Sequence, residues 1–283
     1  MLTGIEGFNV KVAIQGELGS NSHMATVEML GNHVGLEIIP CTVSAQVLAK
    51  VVAGEVDCAV LPIENSLHGS VAEHYDLLLE LPIRIDGESL LRIRHNLIAM
   101  PGVEFRDLRK VMSHPVALSQ CRRFLAWNLE LEVVPFYDTA GSVKHLMAAG
   151  LRDAAGIAPE LAADVYGGEV LQAGIEDHTE NYTRFHLLRR EDAPAAKNVD
   201  ADKMSLAFAI EHRPGTLVAA LQRLADAGVN LTKIESRPVP GSPWEYVFYV
   251  DGRFDSAERA DAALAAMREH CRMVKVLGRY KAA

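Results

Sequence analysis

The chain reads as an α/β protein: two lobes of alternating strands and helices facing a cleft, then a smaller βαββαβ domain. Three observations predict this. Short, continuously apolar runs such as Cys58–Pro62 have the character of strands buried on both faces. These runs alternate with helical segments, as in an open α/β sheet. Finally, an aperiodic Ala, Pro and charged stretch at Glu191–Asn198 precedes a segment ordered strand, helix, strand, strand, helix, strand, the ferredoxin-like split βαβ pattern.

The elements follow in order. Val10–Gln15 is the first strand, ending at Gly16-Glu17-Leu18-Gly19. Ser20-Asn21-Ser22 opens a helix from about Ser22 to Leu30. Glu37–Pro40 is a strand, and Thr42 or Ser44 caps a helix through Val52. Cys58–Pro62 leads into a polar loop over residues 63–70, then a helix over Val71–Glu80. Alternation from Ile83 to Ile98 predicts long, partly exposed β structure crossing between lobes. Lys110–Ser113 is a strand, Pro115–Asn128 one helix, and Glu132–Tyr137 a strand. Asp138-Thr139-Ala140 starts a helix through Ala149, and Ala154–Ala158 is a strand. Pro159–Tyr166 is a helix with proline at its first turn, and Val170-Leu171 is extended. Asn181–Phe185 then runs on to rejoin the first lobe's sheet, where Arg189-Arg190 forms a solvated strand end. The predicted domains are 9–192 (lobes about 9–85 plus 185–190, and 86–184), a linker at 193–202, and 203–283. In the last domain the strands are Lys203–Ile210, Asn230–Arg237, Trp244–Asp251 and Val274–Leu277, with helices Gly215–Ala227 and Ala257–His270.

Composition narrows the function classes. A chain of 283 residues, 49% hydrophobic and 23% charged, is globular and long enough for two domains. Its net charge of −9 argues against nucleic-acid and anionic-membrane partners. Four scattered cysteines without a Cys-x-x-Cys read as thiols in a reducing compartment. Met1–Val10 lacks the basic and apolar regions of a signal peptide, so a cytoplasmic protein is expected. No His-Glu-x-x-His appears, and His68 and His74 lack a carboxylate partner at ligand spacing, so no metal is predicted. The Gly16–Gly19 turn lacks Gly-x-Gly-x-x-Gly and Walker spacing, which leaves no cofactor predicted.

Several loops place hydroxyls or amides after a strand and at a helix start: Gly19-Ser20-Asn21-Ser22, Glu64-Asn65-Ser66, Ser113-His114-Pro115 and Asp138-Thr139. Ligands of open α/β sheets bind there, and helix N-termini favour anions. Thr183-Arg184 adds a hydroxyl beside a guanidinium suited to a carboxylate. Together they predict a cleft for a small anion. In the C-terminal domain, Gly215 allows close approach to backbone amides, and Glu235 can pair with an ammonium.

These residues resemble the prephenate dehydratase family with a C-terminal ACT domain. The matching stretches are Leu61-Pro62-Ile63-Glu64-Asn65-Ser66 with Gly69, Ser113-His114-Pro115 with Gln120-Cys121, Asp138-Thr139-Ala140 and Asn181-Tyr182-Thr183-Arg184-Phe185. In the last domain, Pro214-Gly215-Thr216-Leu217, Asn230-Leu231-Thr232 and Glu235-Ser236-Arg237-Pro238 match the regulatory segments. The first loop departs from the family's usual Gly-Pro-x-Gly-Thr-Phe-Ser. The resemblance implies a periplasmic-binding-protein-like catalytic domain that converts prephenate to phenylpyruvate, CO₂ and water without a cofactor. It implies catalytic roles for Thr183, Arg184, Ser113, Asn65 and Glu64, with Glu64 either orienting Asn65 or relaying a proton. Ser20, Ser22, Ser66, Gly69, Thr139 and Phe185 are the implied substrate-binding residues. L-phenylalanine is the implied effector, held by Gly215, Thr216, Leu217, Asn230, Leu231, Glu235 and Ser236 in a homodimer or homotetramer. Arogenate dehydratase and a non-catalytic amino-acid or anion sensor are the alternatives.

Overall fold

The computed structural model describes residues 9–31, 34–194, 200–239 and 245–283. Most of Met1–Val10, part of the predicted linker and Trp244 of a predicted strand lie outside them. The chain divides into two compact units: Met1–Ser70 with Leu90–Phe185, and Val71–Ser89 with His186–Ala283.

The first unit holds two sheets. In one, β1 (Val10–Gln15) lies between β2 (Leu36–Cys41) and β3 (Cys58–Asn65), all parallel, and β11 (Tyr182–Arg190) flanks β3. Helices α1 (Asn21–Leu30) and α2 (Ser44–Ala53) return the chain between these strands, as parallel pairing requires. The other sheet has the order β10 (Glu169–Gln172), β6 (Asn96–Ala99), β9 (Ala154–Ala158), β7 (Lys110–Ser113), β8 (Glu132–Pro135). β7 runs parallel to β8 and β9, whereas β6 is antiparallel to β9 and β10. Its core includes Leu97, Val111, Leu118, Phe124 and Ile157. Full burial of such side chains contributes ~1.5–3 kcal/mol each.

The second unit holds a sheet ordered β13 (Asn230–Pro238), β14 (Tyr246–Arg253), β12 (Lys203–Ala209), β15 (Met273–Tyr280), β5 (Ile83–Arg92). Helices α8 (Thr216–Asp226) and α9 (Ala257–His270) cover one face through Leu206, Phe208, Leu224 and Met267. This is the expected βαββαβ order. Helix α3 (Ala72–Glu80) is tied to the sheet by Lys275, whose Nζ donates to the carbonyls of Leu78, Leu79 and Leu81 at 3.1, 3.0 and 2.9 Å. A cation there meets the negative end of the helix.

Several local expectations are corrected. The polar loop after β3 is partly strand: β3 continues to Asn65 and turns back as β4 (Gly69–Ser70). Neither Thr42 nor Ser44 caps α2, whose N-cap is Val43 without a side-chain bond. The Ile83–Ile98 stretch breaks between β5 and β6 and is mostly buried, because β5 has β15 and β11 on its two sides and β6 has β10 and β9. The predicted helix Pro115–Asn128 is two, α4 (Pro115–Ser119) and α5 (Arg122–Trp127). Asp177 starts the second by accepting from the backbone N–H groups of Arg122 and Arg123, each at 2.9 Å. Arg189 is not solvated: its side chain is 18% exposed and lies 3.5 Å from Asp86.

Candidate active site and effector pocket

The β3–β11 ladder sets the site. A strand sends consecutive side chains to opposite faces, and the observed partners obey this. On one face Asn65 meets Thr183; on the other, Glu64 meets Arg184. Asn65 Oδ1 accepts from the backbone N–H groups of Leu67 and His68 at 3.0 and 3.1 Å. Its amide orientation is therefore settled. Asn65 Nδ2 donates to Thr183 Oγ1 at 2.9 Å and to Asn181 Oδ1 at 2.8 Å. Thr183 receives a hydrogen bond and keeps its own proton for another acceptor, in a buried setting where such bonds are strengthened.

Arg184 Nη2 lies 2.7 Å from Glu64 Oε2, with the guanidinium side chain 12% exposed. This pair braces the ladder. The two neighbours of the sequence motif thus point to opposite faces, and Glu64 has a guanidinium as partner.

The remaining predicted residues divide by what their hydroxyls already do. Ser113 is fully buried and donates to the Ile157 carbonyl at 2.6 Å, so it has only acceptor capacity left. Ser66 donates to Glu180 O at 3.4 Å and accepts from Tyr182 N at 3.0 Å, pinning the start of β11. Ser20 is the N-cap of α1 and accepts from His23 N at 3.4 Å. Ser22 is buried in the first turn of that helix. Thr139 begins α6 (Thr139–Ala149), whose N-cap is Asp138. Gly69 has φ +77 and no atom near a would-be Cβ, so it serves the hairpin turn. Phe185 is 1% exposed and packs in the core, which corrects its assignment to substrate binding.

Two bonding arrangements went unforeseen in the sequence, although His68, Gln120 and Asp138 were each named there. First, a chain of bonds runs from His95 through Gln120 and His68 to Ser119. Ser119 Oγ donates to Val116 O at 2.7 Å, so it accepts from His68 Nε2–H at 3.2 Å. His68 Nδ1 then accepts from Gln120 Nε2 at 3.1 Å, and Gln120 Oε1 accepts from His95 Nε2–H at 2.7 Å. This leaves a lone pair on buried His95 Nδ1, cheaper than an unpaired N–H, and burial lowers the pKa of His95. The chain holds the turn that carries Asn65. Second, Asp138 accepts from Gly141 N at 2.7 Å and from the backbone of Glu17, joining the first loop to α6. Burial raises its pKa. Glu17 in turn meets Tyr137 Oη at 2.9 Å and Lys144 Nζ at 2.8 Å.

The family model for prephenate dehydratase matches residues 12–193, and that for the ACT domain residues 205–269. The chain belongs to the prephenate dehydratase family. It is 40% identical over 284 residues to arogenate dehydratase/prephenate dehydratase 2, chloroplastic, of Arabidopsis thaliana, covering 97% of this chain and 73% of that protein. A solved prephenate dehydratase from Arthrobacter aurescens in complex with L-Phe is 33% identical, with TM-score 0.86 over 96% of this chain and 90% of that one. A structure described as GqqA, a novel type of quorum quenching acylase, is also 33% identical, with TM-score 0.85 over 96% and 98%. Family membership makes this prephenate dehydratase homologue an enzyme of the lyase class with a regulatory ACT domain.

That ACT domain carries a pocket of about 370 Å³. Its wall includes Arg213, Gly215, Leu217, Ser236, Tyr246 and Phe248. Gly215 has φ +86 and caps α8. Thr216 also lines the pocket, but its hydroxyl donates to Glu211 O and Arg213 O at 2.8 Å. Three predicted effector residues do not line it. Asn230 is exposed at the start of β13, and Leu231 packs toward the helices. Glu235 sits on the opposite face of β13 from Ser236, with its carboxylate 3.9 Å from Lys233. Its neighbour on that face, Arg237, pairs with Asp76 at 2.6 Å.

Proposed function

We propose that the chain converts prephenate to phenylpyruvate, with Thr183 as the group that assists departure of the ring hydroxyl. The reaction breaks the bond to the ring carboxylate. Its electron pair enters the ring and expels the hydroxyl, giving CO₂, water and the aromatic product. Written for the dianion, the step consumes one proton, so a donor at the leaving oxygen is required. Asn65 donation to Thr183 is the observation that carries this reading: it withdraws electron density from Oγ1 and aims the hydroxyl proton elsewhere. Thr183 then passes a proton or a strong hydrogen bond to the leaving oxygen. Thr183→Ala is expected to lower kcat about 10²-fold or more with KM little changed, and Thr183→Ser to retain most turnover. Near-normal kcat in the alanine variant would remove Thr183 from this role.

Prephenate is preferred to arogenate on charge. An α-ammonium needs a carboxylate partner, whereas a keto group does not. Glu64 is paired with Arg184, Glu17 with Lys144, and Asp138 with backbone N–H groups. Incubation with each substrate, quantifying phenylpyruvate and phenylalanine, decides between them.

A second reading is acyl transfer, since Ser119, His68 and Gln120 lie in the order of nucleophile, base and orienting group. Their polarity opposes it, because His68 Nε2 donates to Ser119 instead of accepting its proton. Covalent labelling of Ser119 by a serine-reactive fluorophosphonate would move this reading ahead.

L-phenylalanine is the proposed effector at the ACT pocket. Arg213 suits its carboxylate, Glu211 or Glu245 its ammonium, and Tyr246, Phe248 and Leu217 its ring. A homo-oligomer is proposed, since β13 offers a sheet edge to a second copy. A reducing compartment, the cytoplasm, suits four cysteines that form no disulfide among the described residues.

A further inference from the structure

A buried charged network lies at the other end of the strands that wall the ACT pocket. Lys203, on β12, is 6% exposed, and its Nζ reaches both oxygens of Glu88 at 3.0 and 2.7 Å. Glu88 belongs to β5, and its side chain is 4% exposed. A second buried carboxylate, Asp251 on β14, stands 3.9 Å from the same Nζ and accepts from Ser205 Oγ at 2.6 Å. Ser205 also meets Tyr280 Oη at 2.7 Å. One cation thus has two carboxylates within reach and bonds to one of them.

Such groups are weak evidence for stability, because desolvation offsets most of their attraction; their best-attested use is to fix a register or a switch. The strands make this network a candidate for the second use. β12 runs from Lys203 to Ala209, directly before the pocket residues Ile210 and Glu211, and β14 carries pocket residues Tyr246 and Phe248 as well as Asp251. Phe208 stacks on the pocket residue Phe248 with centroids 5.4 Å apart. On the network's other side, β5 and β11 each continue from the second compact unit into the first. His186 packs against Tyr280 with ring centroids 5.9 Å apart, and it lies three residues from Thr183 on one strand.

We propose that Lys203 couples the effector pocket to the active site by exchanging Glu88 for Asp251 as its partner. A swing of the Lys203 ammonium of roughly 1 Å toward Asp251 brings the 3.9 Å contact into hydrogen-bond range and lengthens the bond to Glu88, which loosens the tie of β12 to β5. A packed interior resists intermediate positions, so the exchange has two states. Effector binding that favours one state moves β5 and β11, and with them the strand of Thr183. This inference rests on L-phenylalanine being the effector.

The test uses the full-length chain. Glu88→Gln keeps the shape of the side chain and removes the carboxylate that Lys203 bonds, with Asp251 still 3.9 Å away. Lys203→Met with Glu88→Met removes the pair together, and Asp251 keeps its hydrogen bond from Ser205. In both, uninhibited kcat is expected within twofold of wild type, and the Kd for L-phenylalanine by calorimetry within about threefold. The concentration for half-inhibition is expected to rise tenfold or more in the double variant and at least threefold in Glu88→Gln. If the double variant fails to fold, Glu88→Gln decides. Inhibition unchanged in the folded variants overturns the coupling, as does a parallel loss of L-phenylalanine binding, which would make the network part of the pocket. A wild-type chain that does not bind L-phenylalanine overturns the regulatory reading itself, and is recognised before any variant is made.

Discussion

At the scale of single residues, the site depends on which proton points where. Asn65 has one available orientation, because two backbone N–H groups occupy its oxygen. Replacing it with leucine removes the donor to Thr183, and kcat is expected to fall about 10-fold, or ~1.4 kcal/mol in barrier. Steady-state kinetics of Asn65→Leu checks this. Asp138 gives a pH-dependent prediction. Burial raises its pKa, so the folded chain holds this proton to higher pH than the unfolded chain does. Its contribution to stability is then most favourable below the unfolded carboxyl pKa of ~3.9 and declines as pH rises through the window up to the raised folded value. Asp138→Asn removes that decline. The melting-temperature difference, variant minus wild type, is expected to increase with pH across the window; a flat difference would contradict the assignment.

Elements are held by close approaches as much as by helical or strand propensity. Gly19, at the end of the first loop, has φ +82, and a Cβ there would lie 2.7 Å from Ala162 Cα. That backbone contact lets the loop sit against α7 (Glu160–Tyr166). Gly19→Ala combines a left-handed conformation with a clash, and is expected to cost about 2–4 kcal/mol. Urea denaturation measures this directly. The same scale explains the broken helix after Pro115. Its sequence supports continuous helix, but Asp177, 55 residues ahead, supplies a better start at Arg122.

For the whole molecule, regulation is the property at stake. Arg213→Ala is expected to raise the L-phenylalanine concentration for half-inhibition tenfold or more while leaving uninhibited turnover intact. Glu235→Ala, on the opposite sheet face, is expected to change it far less, although Glu235 belongs to the more conspicuous sequence motif. Inhibition assays on the two variants side by side compare these positions. Lys203 and Glu88 then separate binding of the effector from its consequence.

The alternation of buried strands and helices, the βαββαβ order and the family motifs were legible along the chain, because each is a local pattern of hydrophobicity or an uninterrupted stretch of residues. Asn65, Thr183 and the pocket's Gly215 belong to such stretches. What each side chain does was decided by partners far away in sequence. Thr183 meets Asn65 across 118 positions, and Ser113 spends its proton on Ile157 across 44. Nothing near Ser113 signals that loss. The strand pleat parts Thr183 from Arg184 and Ser236 from Glu235, so adjacency in a motif became separation in space. Lys203 and Glu88, unremarkable by composition, became a buried pair only because 115 residues of chain bring β12 and β5 into one sheet. Secondary structure is written in neighbouring residues; the direction of a hydrogen bond requires both of its ends.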